Sequence, residues 1–266
     1  MLGLFACSSP GAKSPTPDTL PKNDTTIAAG ASDTTQPVYY KPVLFTEDGV
    51  TVPPYGLDTV KALIKKIKWK EGDDPEAGET STEALNPKVY AALSFNEKFT
   101  YHMIHPESYS QNCSILAERT DEANRIYGHL PDIFGEYSWS ERQLNFFTDN
   151  RDAVEQLMKP LIEITNKIGG NFKEAIVRMN AKELIPYLIE YYNREKKDHY
   201  ILTVLMLLMK NNKYPEFMNS TSYRKLYDKG EYGYEDEYAA YLVYNKANEA
   251  LIIQRATNFY NALQPK

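Results

Sequence analysis

The sequence predicts an all-α fold, built as an irregular array of antiparallel helix pairs with a short extended N-terminal segment. Helix signals dominate after the Pro53-Pro54 pair, where apolar residues recur at helical spacing. Two capping-box patterns, one from Ser94 to Glu97 and one from Ser138 to Glu141, mark helix starts. Residues 200–209 are apolar on every side, which in a globular protein indicates a central buried helix.

Composition excludes several classes of protein. The chain has 266 residues, with 30 basic against 36 acidic side chains and a formal net charge of −6. A strongly cationic nucleic-acid binder is excluded, because no surplus of Lys and Arg exists to displace phosphate counterions. No apolar run is long enough for a membrane-spanning helix. Two cysteines are too few for a disulfide scaffold or a four-cysteine zinc site.

Residues 1–7 end in an apolar stretch with Ala6 directly before Cys7 and Leu4 three residues before it. This ending resembles the lipobox of bacterial lipoproteins. The resemblance implies cleavage before Cys7 and lipidation of that cysteine. The apolar stretch is about half of the usual signal-peptide length and has no basic residues before it, so we expect a start codon upstream. The alternative is that Cys7 is an ordinary residue in a disordered end.

Residues 8–37 are predicted to be a disordered tether. Of these 30 residues, 21 are Ser, Thr, Pro, Gly or Ala, and none is aromatic. Such a segment cannot bury enough apolar surface to offset its conformational entropy. The resemblance to lipoproteins also bears on location, since surface-exported members carry acidic residues after the cysteine and this chain has Ser-Ser-Pro-Gly-Ala-Lys. We therefore expect anchoring at a membrane of the bacterial envelope, facing the periplasm from the outer membrane.

Residues 38–266 are predicted to form a single helical domain. Residues 38–52 are expected to be extended, with a turn at Glu47-Asp48-Gly49, and residues 71–83 to be an acidic loop. Asp58 and Asn86 are suitable helix caps, and Pro87 suits a first helical position. Helices are predicted, in chain order, over residues 58–69, from 87, from 95 to about 105, around 144–147, 152–168, 172–179, from 181 to about 192, 200–209 and 235–263.

Two helical segments carry internal prolines in similar surroundings. They are Leu184-Ile185-Pro186-Tyr187-Leu188-Ile189, with Asp198 in the following turn, and Met158-Lys159-Pro160-Leu161-Ile162. An amphipathic helix with a proline, a polar turn and then a very apolar helix is similar to one unit of an α-solenoid of the HEAT kind. The resemblance covers about 60 residues and implies antiparallel helix pairs. It does not imply a true repeat array.

His102 and His105 form an H-x-x-H pair that a helix would place on one side. A zinc site needs three or four ligands, and the residue one turn before His102 is the cation Lys98. Glu107 and Cys113 are near in sequence but follow the proline that ends the helix. Two histidines with hydrogen-bond partners on a partly buried face are therefore expected, and neither a metal nor a cofactor is predicted.

Cys113 is the candidate nucleophile of the chain. It follows Gln111-Asn112 and could begin a helix, where the pKa of a thiol would be lowered. His129 or His199 could supply a base, but no flanking sequence matches a cysteine-protease signature. A phosphate loop, a G-x-S-x-G elbow and an H-E-x-x-H motif are absent from the sequence. No catalytic residue is predicted.

Asn245 and Glu249 form a candidate polar cluster. On a helical wheel of residues 235–263 both fall at the centre of the apolar sector, one turn apart. Either the helix breaks near Asn245, or these groups are buried and hydrogen-bonded. In the second case Glu249 needs a cationic or donor partner.

Tyrosine is unusually frequent, with 13 of 21 residues from Tyr187 onward. Its apolar ring and polar tip suit packing between short helices, a partner-binding face or carbohydrate stacking. Together these observations predict a lipid-anchored helical protein that binds another macromolecule, of unknown identity and not a nucleic acid, without chemistry. Two alternatives stay open: an envelope hydrolase using Cys113 with a histidine, and a periplasmic immunity or inhibitor lipoprotein.

Overall fold

The computed structural model describes residues 49–68, 70–71, 80–111, 119–228 and 238–264. Within these ranges the chain is mostly helical, as predicted. The lipobox-like ending, the tether and most of the predicted extended segment lie outside the described residues. Among the residues that are described, no helix is both long and apolar enough to cross a membrane.

The first half of the described chain contains the helices α1 (Leu57–Ile64), α2 (Pro87–Ala92), α3 (Phe95–Ile104) and α4 (Glu141–Asp149). The side chain of Asn86 caps α2 by accepting the N–H of Lys88 at 3.0 Å, and proline occupies the first position, as predicted. The predicted capping box of Ser94 and Glu97 opens α3. These local starts were readable because cap and partner are three residues apart or fewer.

The second capping box lies two residues later than predicted. Ser140 and Gln143, not Ser138 and Glu141, exchange the capping hydrogen bonds that open α4. Ser138 cannot take this role because Tyr137 and Ser138 form a short strand. Because Gln143 is the capping residue, its side chain lies beside the loop that follows α3, where it contributes to the site described below.

The second half contains α5 (Arg151–Thr165), α6 (Gly170–Arg178), α7 (Ile185–Glu195), α8 (Tyr200–Asn211), α9 (Pro215–Met218), α10 (Thr221–Tyr227) and α11 (Lys246–Ala262). Every residue of α8 from Ile201 to Met209 is buried, which confirms the predicted central helix. It packs against α6, α7 and α11. The main core is therefore built around one helix that is apolar on all sides.

Six short strands within the described ranges correct the all-α prediction: β1 (Lys70–Glu71), β2 (Thr80–Thr82), β3 (Ser108–Ser110), β4 (Arg125–Tyr127), β5 (Tyr137–Ser138) and β6 (Tyr241–Val243). An antiparallel sheet has the order β1-β2-β3-β5, with Tyr109 opposite both Ser81 and Tyr137. A second antiparallel pair joins β4 to β6. Strands of two or three residues are too short for the alternation that identifies a strand from sequence.

The predicted helix over residues 235–263 is also corrected. Strand β6 occupies residues inside it, because Leu242 pairs with Ile126 of β4. Helix α11 then begins after Asn245, whose side chain accepts the N–H of Asn248 at 2.9 Å. A partner strand more than 100 residues away in the chain fixes this break, which the helical wheel had left open as one of two alternatives.

The start of the described chain is held against α6. Thr51 donates its N–H to Asn171 Oδ1 at 3.0 Å and accepts the N–H of Gly169 on its side-chain oxygen at 3.0 Å. A Cβ on Gly169 would lie 2.4 Å from the Thr51 nitrogen, so glycine is required for this close approach. The helix predicted over residues 152–168 ends earlier, at Thr165, and Gly169 beyond it serves this contact.

Candidate functional site

A buried polar cluster lies where α2, α3 and α4 meet the loop that follows α3. It borders a small secondary core under α1, formed by the buried residues Val60, Leu85, Leu93 and Tyr101. Because α1 packs on α3 and the loop after α3 leads into β3, side chains distant in sequence converge here. Its members are His102, Glu107 and Gln143, all buried, together with Tyr90, Ser140 and Arg142.

Gln143 is the hub of the cluster. Its Oε1 accepts the backbone N–H groups of Glu107 at 2.9 Å and Ser140 at 3.1 Å. Backbone nitrogens can only donate, so the other amide atom is the NH₂ group. That group donates to the His105 carbonyl oxygen and to His102 Nδ1, both at 2.9 Å. All four hydrogen-bonding positions of the amide are used, which is the best outcome for a fully buried glutamine.

The arrangement of Gln143 determines the state of His102. Because Nδ1 accepts from the amide, the ring proton sits on Nε2, which donates to the Tyr90 hydroxyl oxygen at 3.0 Å. Burial lowers the pKa of His102 well below its usual value, and the nearby cations Arg142 and Lys98 lower it further. The ring is therefore neutral at pH 7 with both nitrogens occupied, so it has no lone pair free to act as a base.

The buried carboxylate of Glu107 forms an ion pair with the partly exposed Arg142. Only 1% of Glu107 is exposed. Its Oε1 accepts from Arg142 Nη2 and from the Tyr101 hydroxyl at 2.7 Å, and its Oε2 accepts from Ser140 Oγ at 2.5 Å. Burial and the hydrogen bond to Glu107 raise the pKa of Tyr101. Both carboxylate oxygens are thus satisfied, which is what a charge removed from water requires.

Arg142 connects the buried cluster to the surface. Its guanidinium lies 4.1 Å from the centroid of the Tyr90 ring, and 30% of its side chain is exposed. The exposed part lines a cleft of 540 Å³ between α1, α2 and β2. The rest of the described lining consists of two lysines, two uncharged polar residues and several apolar side chains, among them Lys66, Lys68, Thr82, Asn86, Leu63, Ile67, Leu85 and Val89. The cluster therefore holds a cation at the wall of an apolar cleft.

The H-x-x-H pair behaves as expected of histidines with partners inside the protein. The His102 ring lies in the cluster, whereas His105 Nε2 is 2.6 Å from the carbonyl oxygen of Glu83. Among the described residues, no group of three His, Cys, Asp or Glu side chains is placed to hold a metal ion. The candidate nucleophile Cys113 lies outside the described residues, as do Cys7 and the acidic stretch from Asp73 to Glu79.

Asn245 and Glu249 each take one of the two roles that the sequence left open. Asn245 caps α11, so the helix does break there. Glu249 is 5% exposed, which confirms its burial. It accepts from Lys196 Nζ at 2.7 Å and from the Tyr244 hydroxyl at 3.2 Å. The two residues do not form one site, because Asn245 is exposed and uses its side chain for the cap.

Several of the late tyrosines pack inside the domain. The guanidinium of Arg119 lies 4.8, 5.7 and 4.0 Å from the ring centroids of Tyr127, Tyr200 and Tyr238. Arg119 also donates to three backbone carbonyl oxygens, at 2.8, 2.9 and 3.3 Å. These contacts agree with the packing interpretation of the tyrosines, and they tie α8 to the β4–β6 region.

Sequence reasoning did not identify Glu107 and Arg142 as partners. They are 35 positions apart, and Glu107 lies in a loop where no periodicity operates. For the cleft beside Arg142, in contrast, the sequence contains a signal. Five lysines fall within ten residues of a chain that is acidic overall: Lys61, Lys65, Lys66, Lys68 and Lys70. Comparison with protein-family models, with curated proteins and with solved structures finds no match for this chain, so the site is interpreted from its own chemistry.

Proposed function

We propose that this chain is a lipid-anchored binding protein of a bacterial cell envelope that carries out no chemistry. In this proposal Cys7 holds the lipid, residues 8–37 are the tether, and the helical domain faces the periplasm from the outer membrane. The lipobox-like ending before Cys7 supports the anchor. A polar tether of 30 residues would have a root-mean-square reach of roughly 30 Å, enough to hold a domain away from the membrane surface.

The observation that carries the binding role is the saturated cluster behind the cleft. The polar atoms of these buried residues are hydrogen-bonded to one another and to neighbouring groups: His102, Glu107 and Gln143. A catalytic acid or base needs a proton site that faces the substrate. These groups instead fix Arg142 in the cleft wall, which is an arrangement for recognition.

The helical frame of the proposal is an array of antiparallel pairs of the HEAT-like kind. It is supported by the contacts of α7 with α8 and of both helices with α11. The prolines of the two similar segments do not occupy equivalent positions, since Pro160 is inside α5 and Pro186 is in the first turn of α7. The pairs would therefore provide a rigid support and not a repeated binding surface.

The anchor is tested by membrane fractionation of the full chain expressed with its complete native signal. We expect Cys7→Ser to move the protein from the membrane fraction to the soluble fraction. Cys113→Ser is the matched control and should leave the protein in the membrane fraction. If all three proteins fractionate alike, the anchor proposal is wrong. Protease treatment of intact cells then tests orientation, because a periplasm-facing domain should be cut only after the outer membrane is permeabilised.

A further inference from the structure

The cleft beside Arg142 carries positive charge in a protein whose overall charge is negative. Lys66, Lys68 and Arg142 line it, and its described lining contains no carboxylate. The charge of Arg142 is balanced by Glu107, which lies behind it and is almost fully buried. The two lysines therefore supply the net charge, while the planar guanidinium supplies hydrogen-bond donors held in a fixed direction.

The rest of the described lining is mostly apolar, with Thr82 and Asn86 as its polar members. Leu63 and Ile67 face it from α1 and the turn that follows, and Val89 faces it from α2. Val89 is 37% exposed, one of the few large apolar side chains that the described part of the chain leaves open to solvent. The cleft volume of 540 Å³ falls within the range of about 300–1,000 Å³ that is usual for small-molecule sites. Its size suits one small molecule with an apolar body.

We propose that this cleft binds a small organic anion. Its carboxylate, sulfonate or phosphate group would lie between Arg142, Lys66 and Lys68, and its apolar body would cover Leu63 and Val89. Arg142 is already held by Glu107 and Tyr90 before any ligand arrives, so little side-chain entropy is lost when it binds. The inference rests on the proposed binding role but is independent of the lipid anchor.

The test compares two fluorescent probes that differ in one charged group. 8-Anilinonaphthalene-1-sulfonate has an apolar aromatic body and a sulfonate, and N-phenyl-1-naphthylamine is the same body without the sulfonate. Each is titrated into the purified full chain carrying Cys7→Ser, so that neither lipid nor detergent competes for the probe. We expect the anionic probe to bind at least about fivefold more tightly than the neutral one, with an affinity that falls as salt is added.

Variants in the same background place the binding in the cleft. The double variant Lys66→Gln/Lys68→Gln should weaken the anionic probe about five- to thirtyfold, because two exposed charges are removed from its neighbourhood. The neutral probe should be unaffected by this change. Lys213→Gln/Lys246→Gln removes two exposed lysines elsewhere and is the matched control. Val89→Glu, at an exposed position, should weaken the anionic probe further by placing a like charge beside it.

Three outcomes would overturn the proposal: no binding of the anionic probe, equal affinity for both probes, or equal effects of the two lysine pairs. Circular dichroism of every variant checks that the fold is retained, and the substituted lysines and Val89 are all exposed. Since every protein in the series lacks Cys7, a negative result here leaves the anchor proposal untouched. A failed fractionation experiment likewise leaves the probe measurements valid.

Discussion

Two carboxylates, Glu107 and Glu249, are buried in different parts of the molecule, and each needs donors that replace the water it has lost. They are 1% and 5% exposed, and each accepts hydrogen bonds from one tyrosine hydroxyl and one cationic side chain. The cations differ. Arg142 beside Glu107 is 30% exposed and stacks on an aromatic ring, whereas Lys196 beside Glu249 is 52% exposed.

From this difference in exposure we expect the Glu107–Arg142 pair to be screened less by solvent than the Glu249–Lys196 pair. Glu107 has a further donor in Ser140, and its arginine is partly removed from water. Lys196 is half exposed and keeps much of its hydration. Removing this lysine should therefore have little effect on stability. We therefore expect that removing Arg142 lowers the free energy of unfolding strongly and changes the shape of the cleft. In the other pair we expect removal of the Glu249 carboxylate to matter more than removal of Lys196.

The largest effect is expected from Arg142→Met. This substitution leaves the Glu107 charge buried without its cation, and we expect the free energy of unfolding to fall by about 3 kcal/mol in chemical denaturation. The double variant Glu107→Gln/Arg142→Met should recover part of that loss, because the uncompensated charge is gone.

The matched control for this prediction is another glutamate–arginine pair. Glu163 and Arg194 are 48% and 40% exposed and lie 2.8 Å apart. Hydrogen bonds from Arg194 and Tyr187 lower the pKa of Glu163 to about 2, but solvent screens this interaction. Arg194→Met should therefore cost less than about 1 kcal/mol. Equal losses for Arg142→Met and Arg194→Met would contradict the comparison.

A smaller effect is expected from Glu249→Ala. We expect a loss of about 1–3 kcal/mol, much of it from leaving the Tyr244 hydroxyl without its acceptor. Lys196→Ala should cost less than the loss of the carboxylate, since the lysine is half exposed. Gln254→Ala, at an exposed position of the same helix, is the control. A thermal melt of Glu249→Ala that matches this control would show that the carboxylate contributes nothing.

The smallest effect is a pH dependence that separates the two regions. Folding lowers the pKa of His102 from the ordinary histidine value of about 6.5. Near and below pH 6.5 the unfolded chain therefore binds more protons than the folded chain. The contribution of His102 to stability is present above that pH and is lost as the pH falls. Between pH 6.5 and 5.5 it should amount to about 1 kcal/mol.

The measurement is the free energy of unfolding of wild type and His102→Gln at both pH values. The variant should lose less stability on acidification than the wild type, because other titrating groups are common to both proteins. An identical loss would show that folding does not lower the pKa of His102. That result would also contradict the assignment of its Nδ1 as a hydrogen-bond acceptor.

Features that depend on neighbours in the chain could be predicted from the sequence. Residues 200–209 were identified as the central helix because an all-apolar segment has no other stable place in a folded domain. The capping box of Ser94 and Glu97 depends on a spacing of three residues. The position of Asn245 and Glu249 within an apolar stripe left two alternatives open, a helix break or burial, and the structure has the break at Asn245 and the burial at Glu249.

Only the tertiary structure decided which distant groups meet. The pairing of β4 with β6 ended the predicted last helix, and the approach of α4 to the loop after α3 joined Arg142 to Glu107. Neither contact has a local pattern, since loop and strand pairings across many residues are selected by the energy of the whole packed domain. The sequence by itself therefore determined the central helix and the caps, whereas the cleft and its cation exist only because separate elements pack together.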